Sequence, residues 1–277
     1  MRPLAERTPA DLGRTPAGAT PLLHRGRPLK RWRYVAVFCE ELMACAAIVQ
    51  VGPARQSFWA VLERSSGRLR ERTRRLPRRG LLELGPGRLR LCDGGVRLEL
   101  ELAEEAGVQA RCRHGRAWVW TRKQAGIRAR GTIGIDGRPP RALEALAVVD
   151  DTTGYHARVT EWRWAAGVGV DPGGAPLAFN LVEGVNDPPC GSERAVWVAG
   201  VPRETQPVRF AQDLTGIECL DGCRLRFTAE AQRARRENLL LVRSEYRAPF
   251  GTFAGTLPGD VELAAGLGVM EHHRAWW

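Results

Sequence analysis

Residues 88–102 read RLRLCDGGVRLELEL. From Val96 the text alternates, with Val96, Leu98, Leu100 and Leu102 facing one way and Arg97, Glu99 and Glu101 the other. A period of two is the strand period, because successive Cβ atoms of an extended chain project to opposite faces. Gly94-Gly95 ahead of this run is a tight-turn signal, and Arg88–Cys92 supplies the partner strand. One apolar and one charged face is the pattern of an antiparallel sheet with a single wet side.

The same texture extends outward in both directions. Candidate strands before this hairpin are Trp32–Phe38, Ala46–Gly52, Ser57–Arg64 and Gly67–Leu76; Gln109–Arg113 and Ala117–Lys123 follow it. Ser66-Gly67 and Pro86-Gly87 punctuate them. Residues 124–150 are less regular. Pro139-Pro140 marks a boundary there, and Arg141–Leu146 reads as a short helix. A second meander then runs from Tyr155 to Met270. No long 3.6-residue period and no βαβ rhythm appears, which argues against a doubly wound nucleotide fold. The chain also lacks GxxxxGK[ST], GxSxG and HExxH, so phosphotransfer, serine-hydrolase and zinc-protease chemistry have no support.

Many antiparallel strands must protect their edges, and closing a sheet into a barrel does so. The expectation is an all-β fold of two consecutive antiparallel β-barrels with few short helices. Residues 1–28 read as an extended arm, 29–140 as the first barrel and 141–277 as the second.

Composition agrees with a globular protein. The 277 residues are 44% hydrophobic and 26% charged. The longest apolar run, Leu42–Val51, is shorter than the ~20 residues a membrane helix needs, and the polar N-terminus lacks the apolar core of a secretory signal. A cytoplasmic location is expected. The net charge of +11 is uneven. Residues 1–145 hold 29 basic and 14 acidic side chains, and the rest 13 and 17. Eight arginines lie in RSSGRLRERTRRLPRRG (64–80). On a strand, Arg68, Arg70, Arg72 and Arg74 share one face, readable as a solvated face or as a contact for an anionic membrane surface or acidic protein. Nucleic acid is disfavoured, because no aromatic residues interleave for base stacking. The seven cysteines are scattered. Only Cys219 and Cys223 lie close, without a second Cys or His pair at zinc spacing, so reduced thiols and no metal site are expected.

The second half carries three long motifs in order: GYHARVTEWRW (154–164), NLVEGVNDPP (180–189) and GVMEHHRAWW (268–277). Over 148–277 the chain resembles a bacterial domain family catalogued as a domain of unknown function. That family is similar in turn to lipocalin-like two-barrel proteins, among them carotenoid hydratases, tocopherol cyclases and AttH-like proteins. The resemblance implies a double β-barrel and an apolar small-molecule ligand, and it brings no particular reaction with it.

The residues make their own case. Alternation from Tyr155 to Trp164 puts His156, Arg158, Thr160, Trp162 and Trp164 on one face. Indoles mixed with convergent polar groups suit a pocket that is apolar yet orients a ligand; a core strand with one ion pair explains them equally well. Asn180, mid-strand, must bond either a neighbour or a ligand. Trp197, Tyr246 and Trp276 complete the candidate binding set. At the C-terminus Met270, His272, Arg274 and Trp276 share one face, and Glu271, His273 and Trp277 the other. Adjacent histidines on a strand diverge, so they make a poor metal pair. Glu193, Glu271 and His272 are the candidate proton donors, because burial raises a carboxyl pKa and histidine titrates near neutrality; fraying surface residues are the alternative.

Three functions fit. The first is a carrier of a lipid, terpenoid or polyketide-like molecule. The second is an isomerase, cyclase or hydratase that needs no redox cofactor and uses a buried carboxyl or His beside the indoles. The third is a surface module using the arginine-rich strand. An ionisable group inside an apolar cavity beside the tryptophans separates the second from the others.

Overall fold

The computed structural model describes residues 20–220, 222–239 and 242–277. Residues 1–19 of the expected arm lie outside the described residues, and the remainder of that arm forms a small hairpin of β1 (Leu23–His24) and β2 (Arg27–Pro28).

Ten strands build the first sheet. They are β3 (Lys30–Phe38), β4 (Leu42–Val51), β5 (Ala54–Glu63), β6 (Arg68–Arg74), β7 (Leu82–Gly85), β8 (Arg88–Asp93), β9 (Val96–Leu102), β10 (Val108–His114), β11 (Ala117–Ile135) and β12 (Arg141–Gly154). Their order is β6-β5-β4-β3-β12-β11-β9-β8-β7, with β10 on the free half of β11. Nine strands build the second: β13 (Val159–Val170), β14 (Pro176–Glu183), β15 (Ala195–Val198), β16 (Val201–Glu204), β17 (Val208–Phe210), β18 (Gly216–Cys219), β19 (Arg224–Leu239), β20 (Val242–Leu257) and β21 (Val261–Trp276). Their order is β16-β15-β14-β13-β21-β20-β19-β18-β17. Every pairing is antiparallel.

The all-β, two-barrel expectation is met, with three corrections. No helix occurs among the described residues, and Arg141–Leu146 opens β12 instead. The chain leaves the first sheet between Gly154 and Val159 rather than at 140/141, because β12 pairs with β3 on one side and β11 on the other. Cys219 and Cys223 form a disulfide across a tight loop, their Cα atoms 5.0 Å apart, which is within normal bridging distance.

Each sheet curls around its own filling. Val35, Val37, Trp59, Val61, Leu91, Leu98 and Leu100 pack inside the first. Its edges are joined by side chains: Asp93, at the end of β8, accepts bonds from Trp59 Nε1 (3.1 Å), Arg72 (3.0 Å) and Arg74 (2.6 and 2.8 Å). Phe179, Leu181, Phe227, Phe253 and Met270 fill the second. There, Glu183 at the end of β14 accepts the backbone N–H of Phe210 in β17 at 3.0 Å.

The two sheets then press their outer faces together. Tyr34, Phe38, Met43, Cys45 and Leu62 from the first meet Trp164, Ala166, Val182, Trp197, Phe250 and Val269 from the second. The expected single wet face holds for β9, which alternates buried and exposed. It fails for β4, buried on both faces over its first six residues. One of those faces packs into its own barrel and the other against the neighbouring one. A bulge at Ala125/Ile127 bends β11 where it passes from pairing β10 to pairing β9. Gly126 sits in the bulge at φ 76°, a conformation that favours glycine, and a Cβ there would stand 3.1 Å from Ala178 Cβ of the other sheet.

Candidate active site

A cavity of about 400 Å³ opens in this seam, walled by both sheets. Strand alternation brings Trp32, Tyr34, Val49 and Phe58 from β3, β4 and β5, and Trp162, Trp164, Tyr246, Glu271 and His273 from β13, β20 and β21. These are the outward faces of strands whose inward faces fill the barrels. The site is therefore not a hollow inside the second barrel; the indoles turn toward the seam.

The aromatic wall is ordered by mutual contact. Trp32 and Trp162 stack with planes 7° apart and centroids 6.5 Å apart. Tyr34 meets Trp164 edge-on at 5.5 Å, and Trp162 lies 4.3 Å from the His273 ring. Offset and edge-to-face pairs of this kind are favourable for aromatic quadrupoles. Each of three indole N–H groups has a defined acceptor: Trp32 donates to Asp150 (3.0 Å), Trp164 to Asn180 Oδ1 (2.8 Å) and Trp162 to Glu271 Oε1 (2.8 Å).

Glu271 is the chemically distinctive residue. Its side chain is 13% exposed. Burial among aromatic rings pushes its pKa up to about 7, only partly offset by the Trp162 hydrogen bond. A carboxyl is half protonated there at neutral pH and can donate. His273 beside it, with Nδ1 3.9 Å from the carboxyl, is pushed by burial and by His272 down to about 3. It stays neutral and bonds Ser244 Oγ at 2.8 Å.

A second charged group lies deeper. Lys123 Nζ reaches Asp150 at 2.7 Å and Glu193 at 3.2 Å. Burial opposes the lysine charge, but the two carboxylates outweigh it and hold the pKa above the ordinary value. Burial raises the Glu193 pKa, while Lys123 acts against it. Asn186 donates to Glu193 at 3.0 Å, and its own Oδ1 is buried without a partner. His156 is held neutral by burial and neighbouring cations, and its Nδ1 also lacks a partner.

The sequence candidates divide accordingly. His156, Trp162, Trp164, Tyr246, Glu193 and Glu271 line the cavity. Arg158 does not, because β13 begins only at Val159 and Arg158 lies exposed in the preceding bend. Asn180 is buried behind the wall, accepting from Trp164 and donating to the Glu193 backbone at 2.9 Å. Trp197 belongs to the seam core. Trp276 packs under Arg274, on the face away from the cavity, and Trp277 lines the cavity instead. His272 also takes that other face and bonds Glu161 at 2.9 Å, so His273 is the histidine beside Glu271. Sequence reading missed Trp32, Tyr34, Lys123, Asp150 and Arg233. Only Lys123 carried a signal, as one of two lysines in an arginine-rich chain.

Part of the arginine-rich stretch is paired within the chain. Arg64 bonds Glu230 at 2.7 Å, Arg70 bonds Asp136 at 2.6 Å, and Arg72 and Arg74 bond Asp93. Among the described residues no helix is long and apolar enough to cross a membrane, and no cluster of His, Cys, Asp or Glu has metal-site geometry.

The profile of the family described as "Domain of unknown function (DUF2804)" matches residues 90–277. No curated protein matches the chain by sequence. Among solved structures, an AttH candidate from Nitrosomonas europaea superposes with a TM-score of 0.57 at 14% identity, over 93% of this chain and 97% of that one. Kievitone hydratase from Nectria haematococca superposes with a TM-score of 0.53 at 10% identity, over 94% and 92%. At such identities the likeness is one of fold.

Proposed function

We propose that this chain, which belongs to the DUF2804 family, binds an apolar small molecule in the seam between its barrels and transfers a proton to it from Glu271. The observation that carries this reading is the Glu271 carboxyl itself, buried beside Trp162 and Trp164 with a pKa near 7. A carrier needs only the cavity; a carboxyl still half protonated at neutral pH has chemical use. The structural likeness to a protein named as a hydratase supports the same class.

The step balances simply. Glu271 gives its proton to one carbon of an electron-rich double bond, whose π pair forms the new C–H bond. Positive charge then develops on the neighbouring carbon. The indole faces stabilise it, at ~2 kcal/mol or more per desolvated cation–π contact. Water adds and returns a proton to the carboxylate in a hydration. Ring closure with loss of a proton gives a cyclisation, and direct proton loss gives an isomerisation. Asp150 and Glu193, paired with Lys123, hold charge in the same cavity and orient the ligand's polar groups.

The test is incubation of the protein in D2O with a panel of aryl-alkenes, enol ethers and prenylated phenols, read by mass spectrometry. Deuterium incorporation, or a gain of one water, that disappears in Glu271→Gln supports the assignment. Identical turnover by Glu271→Gln removes it. A co-purified apolar molecule with no turnover of any compound leaves the carrier as the better reading.

A further inference from the structure

The charged groups around the cavity are sorted by sign. On one side, Lys123 on β11 and Asp150 on β12 meet Glu193, which lies just ahead of β15, giving two carboxylates for one ammonium. On the other side, Arg55, Arg75, Arg233 and Arg235 line the wall from β5, from the end of β6 and from β19. Glu71 pairs with Arg233 at 2.7 Å, and Glu237 takes both Arg75 (3.3 Å) and Arg235 (2.8 Å). Four guanidinium groups thus share two carboxylates. Sheet order makes this a true polarity. In the first sheet β6 stands five strands from β11, and in the second β19 stands five strands from β15.

Arg233 is the anchor of the basic side. It is 4% exposed, and its guanidinium lies 4.2 Å from the centre of the Phe58 ring and 5.5 Å from that of Tyr246. Glu71 engages only Nε, and Tyr246 Oη stands 3.5 Å from Nη1. A buried guanidinium whose terminal nitrogens meet only the Tyr246 hydroxyl and the Cys45 thiol suits a carboxylate better than a neutral group, because its planar fork matches two oxygens. Arg55, Arg75 and Arg235 at the rim add attraction for an anion entering the cavity.

Resting on the cavity reading above, we infer that the ligand is an apolar monocarboxylic acid whose carboxylate lies against Arg233. Glu271 on β21 is two strands from Arg233 on β19, so the strand spacing of ~4.8 Å separates their backbones by roughly 10 Å, and a ligand that reaches both is of that order of length. That separation fits an aromatic or polyprenyl skeleton with an acid at one end and unsaturation toward the other. The acidic side, with the free Asn186 Oδ1, takes a hydroxyl donor at the far end.

A matched pair of probes tests this on the full chain: 1-anilinonaphthalene-8-sulfonate and the uncharged N-phenyl-1-naphthylamine, titrated by fluorescence at low salt. The sulfonate is expected to bind at least tenfold more tightly. Decanoate is expected to displace the neutral probe at least tenfold better than decanol does. Arg55→Gln with Arg235→Gln, both exposed positions that leave the fold intact, should weaken the sulfonate several-fold and leave the neutral probe unchanged; Arg233→Gln should do so more strongly. Equal affinity of the two probes, or equal displacement by decanoate and decanol, overturns the acid assignment while the cavity stands. Failure of both probes to bind overturns the cavity and this inference together.

Discussion

The Trp162 indole donates to Glu271 Oε1 at 2.8 Å along a diagonal of the β13–β21 pair. Trp162 stands directly opposite His273, and Trp164 opposite Glu271. The bond therefore crosses to a residue two positions along, a distance that a long aromatic side chain spans on one sheet face. This single donor favours the ionised carboxylate, while the surrounding rings favour the neutral acid. The rings prevail, and the carboxyl titrates near neutrality.

Removing that donor should make Glu271 a weaker acid. In Trp162→Phe an aromatic ring remains, though a smaller one, and the N–H is lost. A hydrogen bond to a charged acceptor is worth about 1.5–3 kcal/mol, so the pKa should climb by one unit or more. The high-pH limb of the rate profile is expected to move upward accordingly. An unmoved limb would show that another group carries the proton.

Activity in the wild type should be flat at acid pH and fall tenfold per unit above about pH 7, as Glu271 loses its proton. Glu271→Gln should cost 10²- to 10⁴-fold in turnover, the usual contribution of a positioned general acid, with ligand binding retained. Steady-state rates against pH, with binding measured separately, decide the point.

Stability carries the same signature. The folded-state pKa of Glu271 is raised, so the stability linked to it is complete below about pH 4.5 and is lost as pH rises through about 7. A shift of this size corresponds to about 3 kcal/mol at pH 8.5. Glu271→Gln cannot ionise and escapes the penalty. Melting curves at pH 5 and pH 8.5 should show the variant gaining several degrees on the wild type at the higher pH only.

Asp93 works in the opposite direction. Its arginine partners and the Trp59 N–H hold its pKa down to about 2, so its contribution is present above pH 4 and disappears as pH falls through 2. Asp93→Asn leaves Arg72 and Arg74 facing an uncharged amide at the join between β6 and β8. Because those arginines are partly exposed, roughly 1–3 kcal/mol is expected rather than the full cost of breaking a buried pair. Urea unfolding at pH 7 measures it, and an unchanged midpoint would mean the edge is held by backbone and packing alone.

Much of the fold was legible in residues such as Val96–Leu102, where alternation reports one wet and one dry face. Residues 141–146 misled because RALEAL suits a helix by propensity. In the structure this segment is the start of β12, held between β3 and β11 by partners distant in sequence. Tertiary pairing of that kind leaves no local mark. For the site, Glu271, Trp162 and Trp164 could be singled out because each is chemically odd for a strand, and His156 and Glu193 because they stand beside strands of the same motif-bearing half. Arg158 and Trp276 could not be rejected, because alternation gives a face but not where the strand begins or which face meets a partner. Trp32 and Tyr34 were hidden for a related reason. They belong to the other half of the chain, and no local pattern says that two sheets will share their outer faces.

The placement of the cavity has one more consequence. Its walls are side chains that point away from both barrel fillings, so the partly buried Trp32, Phe58 or Tyr246 can be exchanged without touching Val35 and Leu98 on one side or Phe179 and Phe253 on the other, while Val182 and its neighbours keep the seam packed. Ligand preference is thereby uncoupled from the determinants of folding. A scaffold arranged in this way can be re-tailored to a new guest at its junction while the two halves that frame it stay as they are.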